Sequence, residues 1–353
     1  MSRAPRLPYF MTMWWARLFS VSSLLFLALT PFARELSERY VLFLLGFVNH
    51  YVMSVQYGSI TFPRNRGGIY KIAADVAWLT LTGSLIYLFA RHGDLGDILP
   101  IYKLGFLLFL TFQFFPLITY RLRTVKRRYD VVAASFMMAG AVWGTLSALV
   151  SGKPFLHMVF LGFQMNTFLG CMYFMLPRFS RRVYEDISLA LAAVIFALLQ
   201  SALIFNFWGF SAQYTLLRVA VILLGSALPL FLWQMRRFIF NYPVALAVLW
   251  FSWGLYHAWY YERSSHIPLM ALGMGSFAFG MGWKWYMLNF GRGNSEYDIL
   301  YQGAYISLVL GWLMWHGFLG LSAALLILWV FLNARKVKTL PDELVKSFLN
   351  WWR

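Results

Sequence analysis

HMVFLGFQMNTFLGCMYFMLPRFSRR, residues 157–182, opens on a histidine beside a loop and ends at Pro177 with Arg178, Arg181 and Arg182 behind it. Between those ends it is apolar for the length of a bilayer crossing. About 20 such residues span a hydrocarbon core as an α-helix, and basic residues collect where the helix leaves it. The corner is echoed. Phe62-Pro63-Arg64, Leu176-Pro177-Arg178 and Phe290-Gly291-Arg292 recur at a spacing of 114 residues, and Tyr70, Tyr184 and Tyr297 follow them at nearly constant offset. The chain reads as three copies of one unit.

Working outward, apolar runs of this kind fill the 353 residues, which are 61% hydrophobic and 12% charged. A soluble protein carries roughly twice that charge fraction. The bilayer admits only helices or closed barrels, and these runs lack strand alternation. The expected fold is therefore an all-α, polytopic transmembrane bundle. Twelve spans are expected, at about 12–31, 41–62, 70–90, 100–120, 131–151, 155–176, 186–206, 213–234, 240–260, 266–288, 298–315 and 317–333. Residues 298–333 read either as two short helices broken at His316-Gly317 or as one long helix with an irregular piece. No stretch reads as a cleavable signal, and no separate soluble domain is expected. The modules fall at about 1–128, 129–240 and 241–353. The 335–353 tail reads as an amphipathic surface helix with Trp351 and Trp352 at the headgroups.

The net charge of +17 points to anionic lipid or nucleic acid until its distribution is considered. With the N-terminus cytoplasmic, 21 of the 30 Lys and Arg fall on that side, six fall outside, and Arg17, Arg218 and Lys284 lie within spans. That is the positive-inside pattern, with both termini cytoplasmic, and it excludes a nucleic-acid face. The single Cys171 excludes an internal disulfide and multi-cysteine metal sites.

All six histidines (His50, His92, His157, His257, His266 and His316) map to the outer half or outer loops. The second helix of each module carries one: His50, His157 and His266. A histidine in lipid usually faces a partner or cofactor, and neutral imidazole ligates metals and haem iron. His50, well inside its span, is read as a ligand or a member of a polar network. His157 and His266 are read either as ligands or as hydrated interface residues. His257 and His316, which end their spans on the outer side, are candidates to complete a site, and His92 is expected to be merely solvated. His157, Gln164 and Cys171, seven apart, form a thin polar stripe that either lines a cavity or bonds to a neighbouring helix. Gly273, Gly275, Gly280 and Gly282 thin the tenth helix, for close packing or for a flat macrocycle. Arg218 needs a counter-anion, a haem propionate among the candidates, or else a tertiary contact. Trp250, Trp253 and Trp259 are read as packing or as flanks of a ring cofactor. Asp75 and Asp186 read as helix-start residues. The sequence has no phosphate loop, no HExxH and no serine elbow.

His157, Gly162-Phe163, Gly170 and Pro177 with its basic corner resemble the histidine helix of the NnrS family. This stretch and Asn49-His50-Tyr51-Val52-Met53-Ser54 are also similar to histidine helices of the haem-copper oxidase catalytic subunit. The resemblance implies twelve helices in three pseudo-symmetric arcs, in a bacterial inner membrane. It further implies a haem held by residues among His50, His157, His266 and Arg218, with His50 and His266 as the best axial pair, metal ligation (copper included) among His50, His157, His266 and His257, and redox or nitric oxide and oxygen handling. A membrane oxidoreductase would take electrons from a donor or from other membrane subunits. The seventh span, Ile187 to Phe205, has no histidine, so the oxidase copper triad is incomplete. Two other classes stay open: a cofactor-free multispan transporter, and a structural or assembly subunit of a larger complex.

Overall fold

The computed structural model of the chain describes residues 9–58, 67–116, 118, 127–179, 186–211, 214–238, 242–260, 266–290 and 298–334. The Pro63-Arg64, Arg181-Arg182 and Gly291-Arg292 corners, Tyr184, Tyr297 and the 335–353 tail lie outside those residues. The described residues form twelve helical rods and no strand. The first four rods are α1 (Tyr9–Leu29), α2 (Leu36–Val41, π-helical Leu42–Val48, then Asn49–Gly58), α3 (Gly67–Arg91) and α4 (Leu95–Phe109, then π-helical Leu110–Phe114). Next come α5 (Arg128–Ser147), α6 (Gly152–His157, π-helical Met158–Met165, then Asn166–Phe179), α7 (Leu189–Ser211) and α8 (Tyr214–Met235). The last four are α9 (Tyr242–Tyr260), α10 (Ile267–Phe290), α11 (Asp298–Leu313) and α12 (Gly317–Ala334). The break at His316-Gly317 is real: α11 and α12 are separate helices joined by a tight turn.

Among the described residues, seven helices are long and apolar enough to cross a bilayer, and three shorter apolar helices lie in α10, α11 and α12. The chain is thus a helical bundle with bilayer-spanning character. α2 is not among the seven because Asn49, His50, Ser54 and Gln56 lower its hydropathy. Those four are fully buried inside protein rather than facing lipid.

Three helices form the interior. Every residue is buried from Val41 to Tyr57 in α2, from Met158 to Pro177 in α6 and from Leu269 to Gly282 in α10. They touch one another through aromatic rings: Tyr51 with Phe168 (6.5 Å), Phe47 with Phe279 (6.3 Å) and Phe168 with Phe277 (5.9 Å). Consecutive helices pair around this centre, α1 with α2, α3 with α4, and so on to α11 with α12. α7 and α8 lie at the edge, with most of their surface outward.

Each central helix presses a glycine against a large ring of the helix before it. A Cβ on Gly46 would lie 2.5 Å from Phe26 of α1, on Gly162 2.6 Å from Trp143 of α5, and on Gly273 2.8 Å from Phe251 of α9. The backbones approach that closely only because no side chain intervenes. Gly275 is filled in the same way by Phe43 and Leu308. The Gly273 and Gly275 notches of α10 are therefore packing surfaces, filled by side chains.

Candidate functional site

The π-helical turns of α2 and α6 face one another at the centre. A π turn spoils the regular i→i+4 ladder and offers backbone carbonyls to outside donors, which is why such turns recur at functional sites. The Leu44 carbonyl accepts the Gln164 side-chain N–H from α6 at 2.9 Å. The Leu45 carbonyl accepts the Tyr102 hydroxyl at 3.2 Å, and Tyr102 accepts the Asn49 amide at 2.7 Å. Farther in, the Gln56 amide donates to Cys171 Sγ at 3.5 Å. Gln164 and Cys171, two members of the polar stripe, thus bond α6 to α2. Replacing Gln164 with leucine removes one such bond, and the thermal midpoint should fall by the equivalent of about 1 kcal/mol. An unchanged midpoint would deny the bond any structural weight.

His50 belongs to this centre. Its ring lies between Phe26 (5.0 Å) and Phe19 (5.4 Å). Nδ1 is 3.0 Å from the Leu45 carbonyl, and Nε2 is 3.1 Å from Thr82 Oγ1. A carbonyl can only accept, so Nδ1 carries the proton. The neutral ring then takes the Thr82 hydroxyl proton on its Nε2 lone pair. No lone pair remains for a metal. The haem-axial role expected of His50 does not fit this arrangement, and the polar-network role does.

The other candidates lie near the starts of α6, α8 and α10 and at the end of α9. His157 closes the first turn of α6, and its Nδ1 donates to the Lys153 carbonyl at 3.0 Å. That bond leaves Nε2 as the lone-pair nitrogen, the second-shell arrangement found around metal-bound histidines. His266 stands in the turn before α10, with Nδ1 buried and without a hydrogen-bond partner. His257 stands in the last turn of α9. Arg218 of α8 lies over the Trp259 ring of α9 at 5.3 Å, so a tertiary cation–π contact supplies the partner expected for it. Trp250 and Trp253 stack on each other at 5.9 Å, and Trp253 lies 6.1 Å from His257. Among the described residues, no three His, Cys, Asp or Glu side chains are grouped closely enough to hold a metal ion. The cavity touching His157 holds about 10 Å³, room for a water and far too little for a macrocycle. That cavity is walled by α5, α6 and α7 residues and includes neither His257 nor His266; imidazole donors suit a bare ion such as copper.

Two expectations change. His92 is not merely solvated: its Nδ1 lies 3.4 Å from buried Glu38, and its backbone takes φ 51° to place it there. Asp75 is no helix-start residue, because α3 begins at Gly67; it accepts the Trp15 indole N–H at 2.6 Å. Asp186 does precede α7, whose start is capped by Ser188 Oγ accepting the Leu191 N–H at 3.2 Å.

Sequence reasoning missed a second polar chain. The Trp143 indole donates to Gln200 Oε1 (2.8 Å), Gln200 Nε2 to Asn166 Oδ1 (2.7 Å), and Asn166 Nδ2 to the Gly162 carbonyl (2.7 Å). The available signal was amides inside apolar spans, which are rare and need partners. No family model matches the chain, and no curated protein matches it.

Proposed function

We propose that the chain is a twelve-span protein of a bacterial inner membrane, built as three parallel four-helix modules at about 1–128, 129–240 and 241–353. In this reading it holds a transition-metal ion, copper first, on His157, His257 and His266 at its outer face. The module count is supported by the interior, where the second helix of each unit is central and each seats a glycine on the first. The metal reading is carried by one observation, the buried Nδ1 of His266 without a hydrogen-bond partner at the start of α10, and it is supported by His157, whose Nδ1 is already oriented by the Lys153 carbonyl. His157, His257 and His266 would hold the ion through their imidazole nitrogens. When bound, the ion supplies a Lewis-acidic or redox-active centre on the periplasmic side, in line with the resemblance to metal-bearing gas-handling and oxidase families. His50 has no part in ligation.

The test is metal content of the detergent-purified chain after copper-, iron- and zinc-replete expression, with a visible spectrum of the same sample. About one ion per chain is expected, with no Soret band. H157A and H266A should each lower metal affinity at least tenfold while the chain remains monodisperse. A chain free of metal, or one whose metal is indifferent to H266A, would sink the proposal. A Soret band would replace the bare ion with haem.

A further inference from the structure

We propose that the lipid-facing groove between α5 and α7 is a binding site for a single-chain lipophilic carbonyl compound of the isoprenoid-quinone class. The site stands independently of the outer histidines. The groove has a volume of about 460 Å³ and is walled by Ala134, Met138, Ala139 and Val142 of α5 and by Phe196 of α7, with Trp143 and Gln200 at its polar end. From Ala134 to Leu146 it runs about 18 Å along the helix, a mean cross-section of about 25 Å², the width of one hydrocarbon chain.

The polar end selects the occupant. The Trp143 indole can only donate, so it fixes the Gln200 amide with its oxygen toward Trp143 and its nitrogen toward Asn166. One Gln200 N–H is used by Asn166, and the second has no partner among the described residues. Gln200 lies 11 residues from either end of α7 and its partner Trp143 four residues from the end of α5, so the pair stands inside the hydrocarbon core rather than at its edge. Phospholipid ester carbonyls sit at the interface, outside the hydrocarbon core, and cannot descend to that depth. A phospholipid would offer this N–H only methylene groups, leaving a donor unpaired in hydrocarbon. A quinone headgroup enters the hydrocarbon and brings a carbonyl with it. Its ring then lies against Trp143 and Phe196, its carbonyl accepts the free Gln200 N–H, and its tail follows Ala139 toward Ala134.

The experiment uses the full chain in phosphatidylcholine nanodiscs without quinone. An azidoquinone with a decyl tail is photolysed in one arm, and a photoreactive phosphatidylcholine in the other, with peptide mapping of both. Quinone label on residues 134–146 and 196–200, competed by unlabelled decylquinone, is the expected result. A139W places an indole in the groove and should abolish the label; V142W serves if A139W does not yield folded protein. Q200E, as the neutral acid, retains the bonds to Trp143 and Asn166 and loses the spare N–H. The competitor's half-saturation should rise about three- to tenfold. Phosphatidylcholine label in the groove that quinone does not displace would overturn the proposal. So would quinone label that is unaffected by A139W and V142W.

Discussion

G162A should lower the thermal midpoint of the detergent-solubilised chain by several degrees, and G162L should leave little folded protein. The added methyl lands 2.6 Å from Trp143 Cβ and 3.0 Å from its Cγ. Both are atoms near the backbone, so the contact cannot be relieved by swinging the end of a flexible side chain. Helix α6 must move off α5. Overpacking of this kind costs about 1–3 kcal/mol for one methyl, and more for a leucine. The damage also spreads along hydrogen bonds, because Trp143 heads the chain to Gln200 and Asn166, and Asn166 donates back to the Gly162 carbonyl itself. G83A is the matched control. A Cβ there meets nothing within 4 Å. Relieved of glycine's helix penalty, it should leave the midpoint unchanged or raise it slightly, by up to about 1 kcal/mol. Opposite signs at two helical glycines separate packing from propensity. If G162A melted with the wild type, the α5–α6 approach would be looser than described.

The helical class and most of the helices were legible because an apolar run of bilayer length has few alternative fates. The prominence of residues 157–182 was legible for the same reason, and α6 is buried from Met158 to Pro177. The π turns were not. Leu42–Val48 and Met158–Met165 are buried on every side, so there is no polar face whose period would distinguish a π turn from an α turn. The chemistry of His50 was hidden for a different reason. Its partners are a carbonyl one turn back, released by that π turn, and a threonine 32 residues away on α3. Neither appears as a motif. Asp75 was misplaced because α3 begins two turns earlier than its carboxylate, within glycines that carry no apolar signal. Arg218 was read as needing an anion or else a tertiary contact, and the indole of Trp259 on the next helix is such a contact.

H50L distinguishes the two roles that a buried histidine can play. Leucine fills much of the imidazole's volume between Phe19 and Phe26, so the loss is chiefly polar. The Leu45 carbonyl retains the Tyr102 hydroxyl, but the Thr82 hydroxyl loses its acceptor in a dry interior. An orphaned buried hydroxyl costs about 1–3 kcal/mol. T82V alone should cost a comparable amount, by leaving Nε2 without a donor. In the double variant both polar partners are gone together, and replacing both by apolar groups is nearly neutral. H50L/T82V should therefore be more stable than the sum of the single losses predicts, by about 1 kcal/mol or more, read from thermal midpoints of all four proteins. A ligand histidine behaves otherwise. Its T82V variant would free Nε2 and strengthen metal binding, and H50L would strip the metal at little cost to folding. The hydrogen-bond account requires metal content to be indifferent to both substitutions while stability follows the cycle. Additive losses with a metal-free H50L would reverse the assignment, moving the metal from the outer histidines into the α2–α3 interior.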